Sequence, residues 1–375
     1  QPVAAAMLTR GTKTMTRSEI EDRMTELKMA GSITNFTTTR KNLPAALELV
    51  FDAMHNSIMP QDEFDQFKKQ MQVMIESMRD KPDALAQNAI TQHFNTYPKG
   101  DPRYEYSLDE SLEQLNKLTV DQVRAFYKEF GGTSRGEISI VGDFDPKAVE
   151  KIIRDDYAKY VSKAHYAPVV TEYRPVKATR VVIDTPDKEN AIIVARSVFP
   201  INDTAPDAPA LTVANWILGG GTGLSNRLIE RLRQKEGLSY GAGSHVRIPA
   251  KGDNGSFVFR AIVAPQNMLQ AEASARDVIA KAIKDGFTDQ EVEEAKKGLL
   301  QAIQVARSQD DVVARSWNDK MENQRTWVFS KKQAEAISKL TTADVNAALR
   351  KYIKPDEITF VLAGDQKKAA QKKQD

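Results

Sequence analysis

The stretch that decides the fold occurs twice in this chain. Residues 118–143 read LTVDQVRAFYKEFGGTSRGEISIVGD, and residues 340–365 read LTTADVNAALRKYIKPDEITFVLAGD. Each copy begins with a threonine that can cap a short helix, Thr119 in one and Thr341 in the other. A turn and an apolar strand that ends in Gly-Asp follow in both copies. The shared order predicts that one helix–turn–strand unit is used twice.

A second, looser pair of segments supports the repeat. Residues 58–78 and 286–306 each place a turn before a long helical pattern. The offset within this pair is similar to that of the first pair, and it is too long for a solenoid repeat. The segment 158–178 contains two prolines and no sustained period, which is typical of a linker. We therefore predict two homologous domains, over residues 1–165 and 166–375.

Strand-like and helical patterns alternate in blocks after the linker. The runs TRVVIDT (179–185), AIIVARSVF (191–199) and GSFVFRAIVA (255–264) are rich in β-branched and aromatic residues, which favours strands. Helical patterns cover residues 207–218 and 267–284. This arrangement indicates an α+β fold, in which each domain has an antiparallel sheet with helices packed on one face.

The composition excludes several classes of function. The chain has 375 residues, of which 41% are apolar and 28% charged, as in an ordinary globular protein. A net charge of +2 gives no field that would recruit nucleic acid, and no apolar run approaches the roughly 20 residues that span a bilayer. The absence of cysteine excludes thiolate catalysis, cysteine–zinc sites and disulfides.

Titratable residues do not form a catalytic pattern along the sequence. No two of the four histidines lie within one helical turn, so the chain has no His-x-x-x-His pair. Glu291, Glu293 and Glu294 fall in a helical pattern and are typical of a solvated helix face. The sequence therefore predicts no self-contained catalytic site.

Residues 216–240, WILGGGTGLSNRLIERLRQKEGLSY, form the most distinctive stretch. A Walker phosphate loop would need a lysine after Gly223, and no βαβ pattern surrounds the glycines. The stretch therefore indicates a glycine turn before a helix that Thr222 or Ser225 can cap. Gly237 is placed for the left-handed conformation that ends a helix.

Arg233 and Tyr240 flank the predicted end of that helix. Arg233 follows the apolar stripe of the helix, and Tyr240 lies on the strand that begins after the turn. In a regular strand, Leu238 and Tyr240 would share a face. The two polar side chains can therefore converge on one spot, although the residues alone favour two separate solvated side chains.

The same stretch carries a resemblance to a known family. Residues 218–246, LGGGTGLSNRLIERLRQKEGLSYGAGSHV, resemble the non-catalytic homologous domain of the pitrilysin-type zinc metallopeptidases. These are the inverzincins, which include insulysin-like and mitochondrial processing peptidases. FTDQEVEEAKKGLLQ (287–301) and LTVDQVRAFYKEFGGTSRGEISIVGDFDP (118–146) add to the likeness, which extends over nearly the whole chain. The resemblance implies repeated α+β domains.

The resemblance also implies a role for the arginine and the tyrosine. In the family, two halves enclose a chamber, and one half carries the zinc ion and the general-base glutamate. The other half contributes an arginine and a tyrosine to the substrate site, at positions that match Arg233 and Tyr240. The substrate is an extended peptide, which such sites hold like an added strand.

The zinc ligands of the family have no counterparts here. Aligned on its His-x-x-Glu-His motif, the two histidines fall on Pro2 and Ala6 and the glutamate on Ala5. The later zinc glutamate would fall near Glu76 or Ser77, a weak match. We therefore expect no catalytic residue and no metal site in this chain, with zinc in a catalytic half that is not present. The opening strands of the first domain are also missing, so the chain reads as a fragment.

These expectations combine into one function with two alternatives. We predict the C-terminal, substrate-binding half of a zinc metalloendopeptidase, inactive alone, whose partners are a peptide substrate and a zinc-bearing half or subunit. The alternatives are a non-catalytic scaffold or assembly subunit, and a peptide-binding module without proteolysis. The apolar start VAAAML (3–8) is expected to be exposed and covered by another chain, and a homo-oligomer is one form of this. A periplasmic or secreted bacterial location follows from the family, with the cytoplasm as the alternative.

Overall fold

The chain divides into two compact units. The computed structural model describes residues 2–162, 164–221 and 226–371. The helical unit comprises Gln1–Glu76, Asp109–Pro168 and Gln309–Glu322, and the sheet unit comprises Ser77–Leu108, Val169–Ser308 and Asn323–Asp375. Residues 77–108 precede the predicted boundary at residue 165 but belong to the sheet unit. That domains 1–165 and 166–375 are copies of one another stays a prediction.

Helices make up most of the regular structure. In chain order they are α1 (Pro2–Met7), α2 (Arg17–Glu26), α3 (Leu43–Asn56), α4 (Gln61–Met78), α5 (Pro82–His93), α6 (Leu108–Lys117), α7 (Val120–Phe130), α8 (Pro146–Asp155), α9 (Ala208–Asn215), α10 (Arg227–Ile229), α11 (Met268–Asp285), α12 (Asp289–Ala306), α13 (Asp310–Glu322), α14 (Trp327–Lys339), α15 (Thr342–Tyr352) and α16 (Gln366–Gln371). Two segments, Trp216–Gly220 and Glu230–Lys235, are π-helical. The strands are β1 (Ala30–Ser32), β2 (Asn35–Thr37), β3 (Arg180–Asp184), β4 (Ala191–Pro200), β5 (Ser239–Arg247), β6 (Asn254–Val263) and β7 (Thr359–Gly364).

The repeated helices begin as the sequence predicts. Thr119 and Thr341 each accept a hydrogen bond from the third backbone N–H of their helix, and the side chain at that position bonds back to the threonine. Thr288 caps α12 in the same way. Such reciprocal caps satisfy amide groups that would otherwise lack partners. The predicted caps Thr119 and Thr341 are therefore confirmed.

The sheet unit is built on five strands in the order β3-β7-β4-β6-β5. The three runs predicted as strands form β3, β4 and β6, and the α+β class is confirmed. Neighbouring strands are antiparallel except for β3, which runs parallel to β7. The sheet is thus mixed rather than purely antiparallel, because β3 lies outside β7 instead of pairing with β4 as a hairpin.

The two faces of the sheet are covered differently. Ile193 and Ala195 of β4 belong to the main core, which β6, α9, α11, α12 and α15 complete. Ile192 and Val194 face the other way and pack with Ala86 and Ile90 of α5. Helices therefore cover one whole face and α5 covers the centre of the other. This explains why β4 is a continuous apolar run, since strands buried on both faces do not alternate with polar residues.

The helical unit keeps only a small sheet. Its core gathers α1, α3 and α7, and its paired strands among the described residues are β1 and β2. The expectation of an exposed apolar start is wrong. Met7, the last residue of α1, and Leu8, which follows it, are both buried in this core. Residues 137–142, which repeat β7 in sequence, pair with no strand in the described part of the chain. That the first domain lacks the opening strands that would flank this segment stays a prediction.

Candidate functional site

The glycine-rich stretch joins α9 to β5 through two π-helical segments. Trp216–Gly220 continues α9, and Glu230–Lys235 continues α10. The Gly221 N–H donates to the Trp216 carbonyl at 2.9 Å, and the Glu236 N–H donates to the Arg231 carbonyl at 3.1 Å. Each bond spans five residues, as π-helical geometry requires. Single π-helical turns are rare and occur frequently at functional sites.

Close packing holds the first π-helical segment against β5. A Cβ atom on Gly219 would lie 2.5 Å from Ser244 Oγ and 2.7 Å from the Ser244 backbone nitrogen, so glycine is required there. Ser244 Oγ donates a 2.8 Å hydrogen bond to Oδ1 of Asn215, which is buried at the end of α9. The Asn215 amide in turn donates to the Ser244 carbonyl at 3.4 Å. Sequence analysis missed Asn215, although a lone asparagine in the apolar run LTVANWIL was a signal.

The helix that carries Arg233 begins at an asparagine. Asn226 Oδ1 accepts a 2.9 Å hydrogen bond from the Ile229 N–H and caps α10. The predicted caps, Thr222 and Ser225, lie outside the described residues. Asn226 is almost fully buried, so the cap also fixes where the helix starts relative to the core.

The helix ends at the predicted glycine. Gly237 has φ of 61°, which lies in the left-handed region that favours glycine. The Leu238 N–H then donates to the Leu232 carbonyl at 2.8 Å and closes the last turn. Both leucines are buried in the main core, so the reversal of the chain is anchored on apolar side chains. The prediction for Gly237 is confirmed.

Two arginines that precede Arg233 in the sequence form ion pairs with carboxylates of the chain. Arg227 forms a two-bond ion pair with Glu291, with Nε–Oε1 and Nη2–Oε2 distances of 2.7 and 2.8 Å. Burial would raise the pKa of Glu291, but the hydrogen bonds from Arg227 and Thr288 outweigh it and hold the pKa below its ordinary value. The expectation that Glu291 lies on a solvated face is therefore wrong. Arg231 bonds to Glu236 and lies 3.6 Å from Asp277.

Arg233 itself is exposed on the second π-helical segment. Within the described residues its guanidinium has no hydrogen-bond or ion-pair partner, unlike Arg227 and Arg231. Leu232, immediately before Arg233 on this segment, is buried in the main core, whereas Arg233 itself lies at the surface. The structure thus presents the Arg233 guanidinium to solvent.

Tyr240 occupies a β-bulge at the start of β5. In the pairing of β5 with β6, Ser239 lies opposite Val263 and Gly241 opposite Ile262, which leaves Tyr240 as the extra residue. Ser239 Oγ fixes this bulge by accepting from the Gly241 N–H at 3.1 Å and donating to the Gly241 carbonyl at 2.8 Å.

The bulge turns the tyrosine outward. Tyr240 is 67% exposed, and Leu238 is buried in the core. The expectation that these two residues share a face is therefore wrong, because it assumed a regular strand. Bulges commonly re-aim a side chain beside a functional site. In the part of the chain that the structure describes, the Tyr240 hydroxyl has no hydrogen-bond partner.

The residues at the family's zinc-ligand positions do not fit a metal ion. Pro2, Ala5 and Ala6 lie on α1 and offer no side-chain donor atom. Among the described residues, no three His, Asp or Glu side chains converge in a group that could hold a metal. Across the same ranges, every helix is too short or too polar to traverse a lipid bilayer.

Comparison with known proteins tests the resemblance to the metallopeptidase family. Residues 117–299 match the family model described as the peptidase M16 inactive domain. An uncharacterized zinc protease of Mycobacterium tuberculosis is 24% identical over 299 residues, which cover 76% of this chain and 66% of that protein. The non-peptidase homolog YmxG of Helicobacter pylori is 20% identical over 259 residues, which cover 68% of this chain and 58% of that protein. The chain thus spans less than two thirds of the length of these relatives.

A solved structure shares the fold. The crystal structure of a peptidase M16 inactive domain from Pseudomonas fluorescens matches with a TM-score of 0.80 and 21% sequence identity. The match covers 96% of this chain and 87% of that one. The family model over residues 117–299 confirms the resemblance read from the sequence for that part of the chain, and the solved structure shows that the fold is shared.

Proposed function

We propose that this chain is the non-catalytic half of a zinc metalloendopeptidase and contributes Arg233 and Tyr240 to peptide binding. One observation carries the proposal. Arg233 has no partner among the described residues, although Arg227 and Arg231 nearby are both held by carboxylates. An arginine without a carboxylate on a closely packed segment is available to a ligand. Tyr240, turned outward by its bulge, supplies a second free donor on the next element.

The chemistry of the two side chains fits a peptide in extended form. A guanidinium presents several N–H donors in a fixed plane, which suits the carbonyl groups of a main chain. A tyrosine hydroxyl can donate to the oxygen that becomes negatively charged as a peptide bond is attacked. In this proposal, the zinc ion and the general base belong to a catalytic half that is distinct from this chain. The chain alone then binds peptide but does not cut it.

Kinetics of the complex with the zinc-bearing half test the proposal. Arg233→Ala and Tyr240→Phe should leave zinc content and melting temperature unchanged but lower kcat/KM roughly 10²–10³-fold, as the loss of an oxyanion donor does. Lys235→Ala is the matched control, because Lys235 is an exposed cation on the same segment that pairs with Glu230. Full activity of the Arg233→Ala, Tyr240→Phe double variant would reject a role in substrate binding.

A scaffold role is the second candidate, and one comparison favours it. The relative YmxG is named a non-peptidase homolog, so likeness of this degree extends to proteins described as lacking peptidase activity. Under this alternative the chain would assemble with a partner without contacting substrate. The double variant would then retain both full assembly and full activity. The periplasmic or secreted location stays a prediction under either function.

A further inference from the structure

The outer face of the sheet, opposite the main core, carries a row of basic side chains. Phe257, Phe259 and Ala261 of β6 point into the main core, so Val258 and Arg260 point to the outer face. Residues directly opposite each other in an antiparallel pair share a face. The register of β6 with its neighbours therefore decides which side chains join them.

Three basic residues lie on this face, on β4 and β5. Val258 lies opposite Arg196 of β4 on one side and His245 of β5 on the other. Arg247 is two residues beyond His245 on β5, and it lies opposite Ser256. Ala242 and Val246 pack on the main core, which agrees with His245 and Arg247 pointing the other way. We call Arg196, His245 and Arg247 the outer-face row.

Arg196 is the unusual member of the row. Its Nε atom is fully buried and has no hydrogen-bond partner. The guanidinium lies 4.8 Å from the ring centroid of Phe94, just after α5, and in the described part of the chain it has no ion-pair partner. Leaving a half-buried cation without a carboxylate and with an unsatisfied Nε is costly, so such a group calls for an explanation.

The electrostatic surroundings favour an added anion. Burial lowers the pKa of Arg196, and the positive charge of Arg247 lowers it further, whereas Glu105 acts in the opposite direction. Arg260, on the same face, is already engaged by Asp83 at 2.6 Å. His245 and Arg247 are exposed, and neither has a hydrogen-bond or ion-pair partner within the described ranges.

We propose that the outer-face row binds the carboxylates of an acidic segment of extended polypeptide. His245 and Arg247 are about 6.6 Å apart along one strand, which is the spacing of alternate side chains on an extended chain. Arg196 lies two strands from His245, or about 9.5 Å across the sheet. A third carboxylate of the same peptide would approach Arg196 across the outer face, from the direction of β5. β5 is the last strand of the sheet, and its outer edge pairs with no strand among the described residues. An extended peptide can therefore run beside it.

A peptide fits the row better than a nucleic acid. Proteins that bind the phosphate backbone of a nucleic acid carry a large excess of basic residues, whereas the net charge of this chain is only +2. The proposal rests on the proposed function in one respect, that the ligand is a peptide. The inference adds that the peptide carries acidic residues at alternate positions. The residues of this chain that set this preference are the outer-face row and not Arg233 or Tyr240.

Peptide binding by the purified chain tests the inference. The probe is a fluorescent peptide of about nine residues with glutamate at every second position, and its control has glutamine at the same positions. Fluorescence anisotropy should show that the glutamate peptide binds at least about tenfold more tightly, as expected for charge-assisted hydrogen bonds. In the Arg196→Gln, Arg247→Gln double variant the ratio of the two affinities should fall to about one.

The controls separate this inference from folding and from the proposed function. Arg247→Gln alone changes an exposed residue and should halve the ratio or more even if the double variant folds poorly. Lys297→Gln removes an exposed cation from α12, on the helix-covered side of the sheet, and should leave the ratio unchanged. The Arg233→Ala, Tyr240→Phe variant should also keep the ratio.

Three results would overturn the inference. One is equal binding of the glutamate and glutamine peptides by the unaltered chain. Another is an undiminished ratio in both Arg247→Gln and the double variant. The third is tighter binding of a short single-stranded oligonucleotide of equal charge than of the glutamate peptide. If the ratio behaves as expected but Arg233→Ala and Tyr240→Phe leave turnover unchanged, the proposed function fails and this inference stands.

Discussion

Ser244 on β5 and Asn215 at the end of α9 are joined by two hydrogen bonds, at 2.8 and 3.4 Å. Asn215 is buried, and its amide also fills the space where a Cβ of Gly220 would lie, 2.3 Å away. The pair therefore fixes the π-helical segment Trp216–Gly220 to the middle of β5, the strand that carries Tyr240.

Replacing Asn215 should destabilise the fold. Asn215→Ala leaves the half-buried Ser244 hydroxyl without its acceptor, which costs about 1–3 kcal/mol. Urea unfolding should show this loss as a lower midpoint with an unchanged slope. Asn35→Ala, in the exposed β1–β2 hairpin, is the control and should change the midpoint little. Equal midpoints for the two variants would mean that the contact does not hold the turn.

Gly219 should not tolerate a side chain. The Cβ of alanine would lie 2.7 Å from both Leu228 Cδ1 and the Ser244 backbone nitrogen, and the backbone cannot yield as a flexible side chain would. Overpacking of this kind costs about 1–3 kcal/mol, so Gly219→Ala should lower the melting temperature measured by circular dichroism. Gly241→Ala is the matched control on β5, because no atom lies within 4 Å of its added Cβ. A Gly219→Ala variant as stable as Gly241→Ala would contradict the close approach.

Local features of this fold were predictable from the sequence, and long-range ones were not. The caps Thr119 and Thr341 and the left-handed Gly237 depend on residues within one turn, so their patterns are legible in the chain. The parallel pairing of β3 with β7 depends on strands far apart in sequence. No local pattern encodes that choice.

The candidate site shows the same division. Arg233 and Tyr240 were selected through the resemblance to the family, because the residues alone favoured two separate solvated side chains. The bulge that turns Tyr240 outward arises from pairing with β6 and could not be seen in β5 alone. The π-helical turn under Arg233 also has no simple sequence signal. Glu291 looked solvated because its partner, Arg227, lies in a different helix. The pairing depends on the tertiary structure that brings Arg227 of α10 to Glu291 of α12, which a helical pattern does not reveal.

The Arg227–Glu291 pair should make stability depend on pH in the acid range. Because the pKa of Glu291 is lowered in the folded state, its contribution is fully present above the ordinary value of about 4.5 and is lost as the pH falls through the folded pKa. Glu291→Gln should cost about 1.5–3 kcal/mol at pH 7 and less at pH 3. Thermal melts at both pH values measure the difference. Glu294→Gln, at an exposed position on the same helix, is the control and should change the melting temperature little at pH 7.

Ile90 on α5 should contribute as much to stability as a residue of the main core. It is 1% exposed and packs with Ile192, Val194 and Val361 of the sheet. Ile90→Ala removes this packing and leaves a cavity, which costs about 2–5 kcal/mol. Val73→Ala, at a position that is 63% exposed on α4, is the control and should cost far less. Chemical denaturation of both variants measures the two losses. If Ile90→Ala were no more destabilising than Val73→Ala, residues 77–108 would not belong to the sheet unit, and α5 would not be what buries the second face of β4.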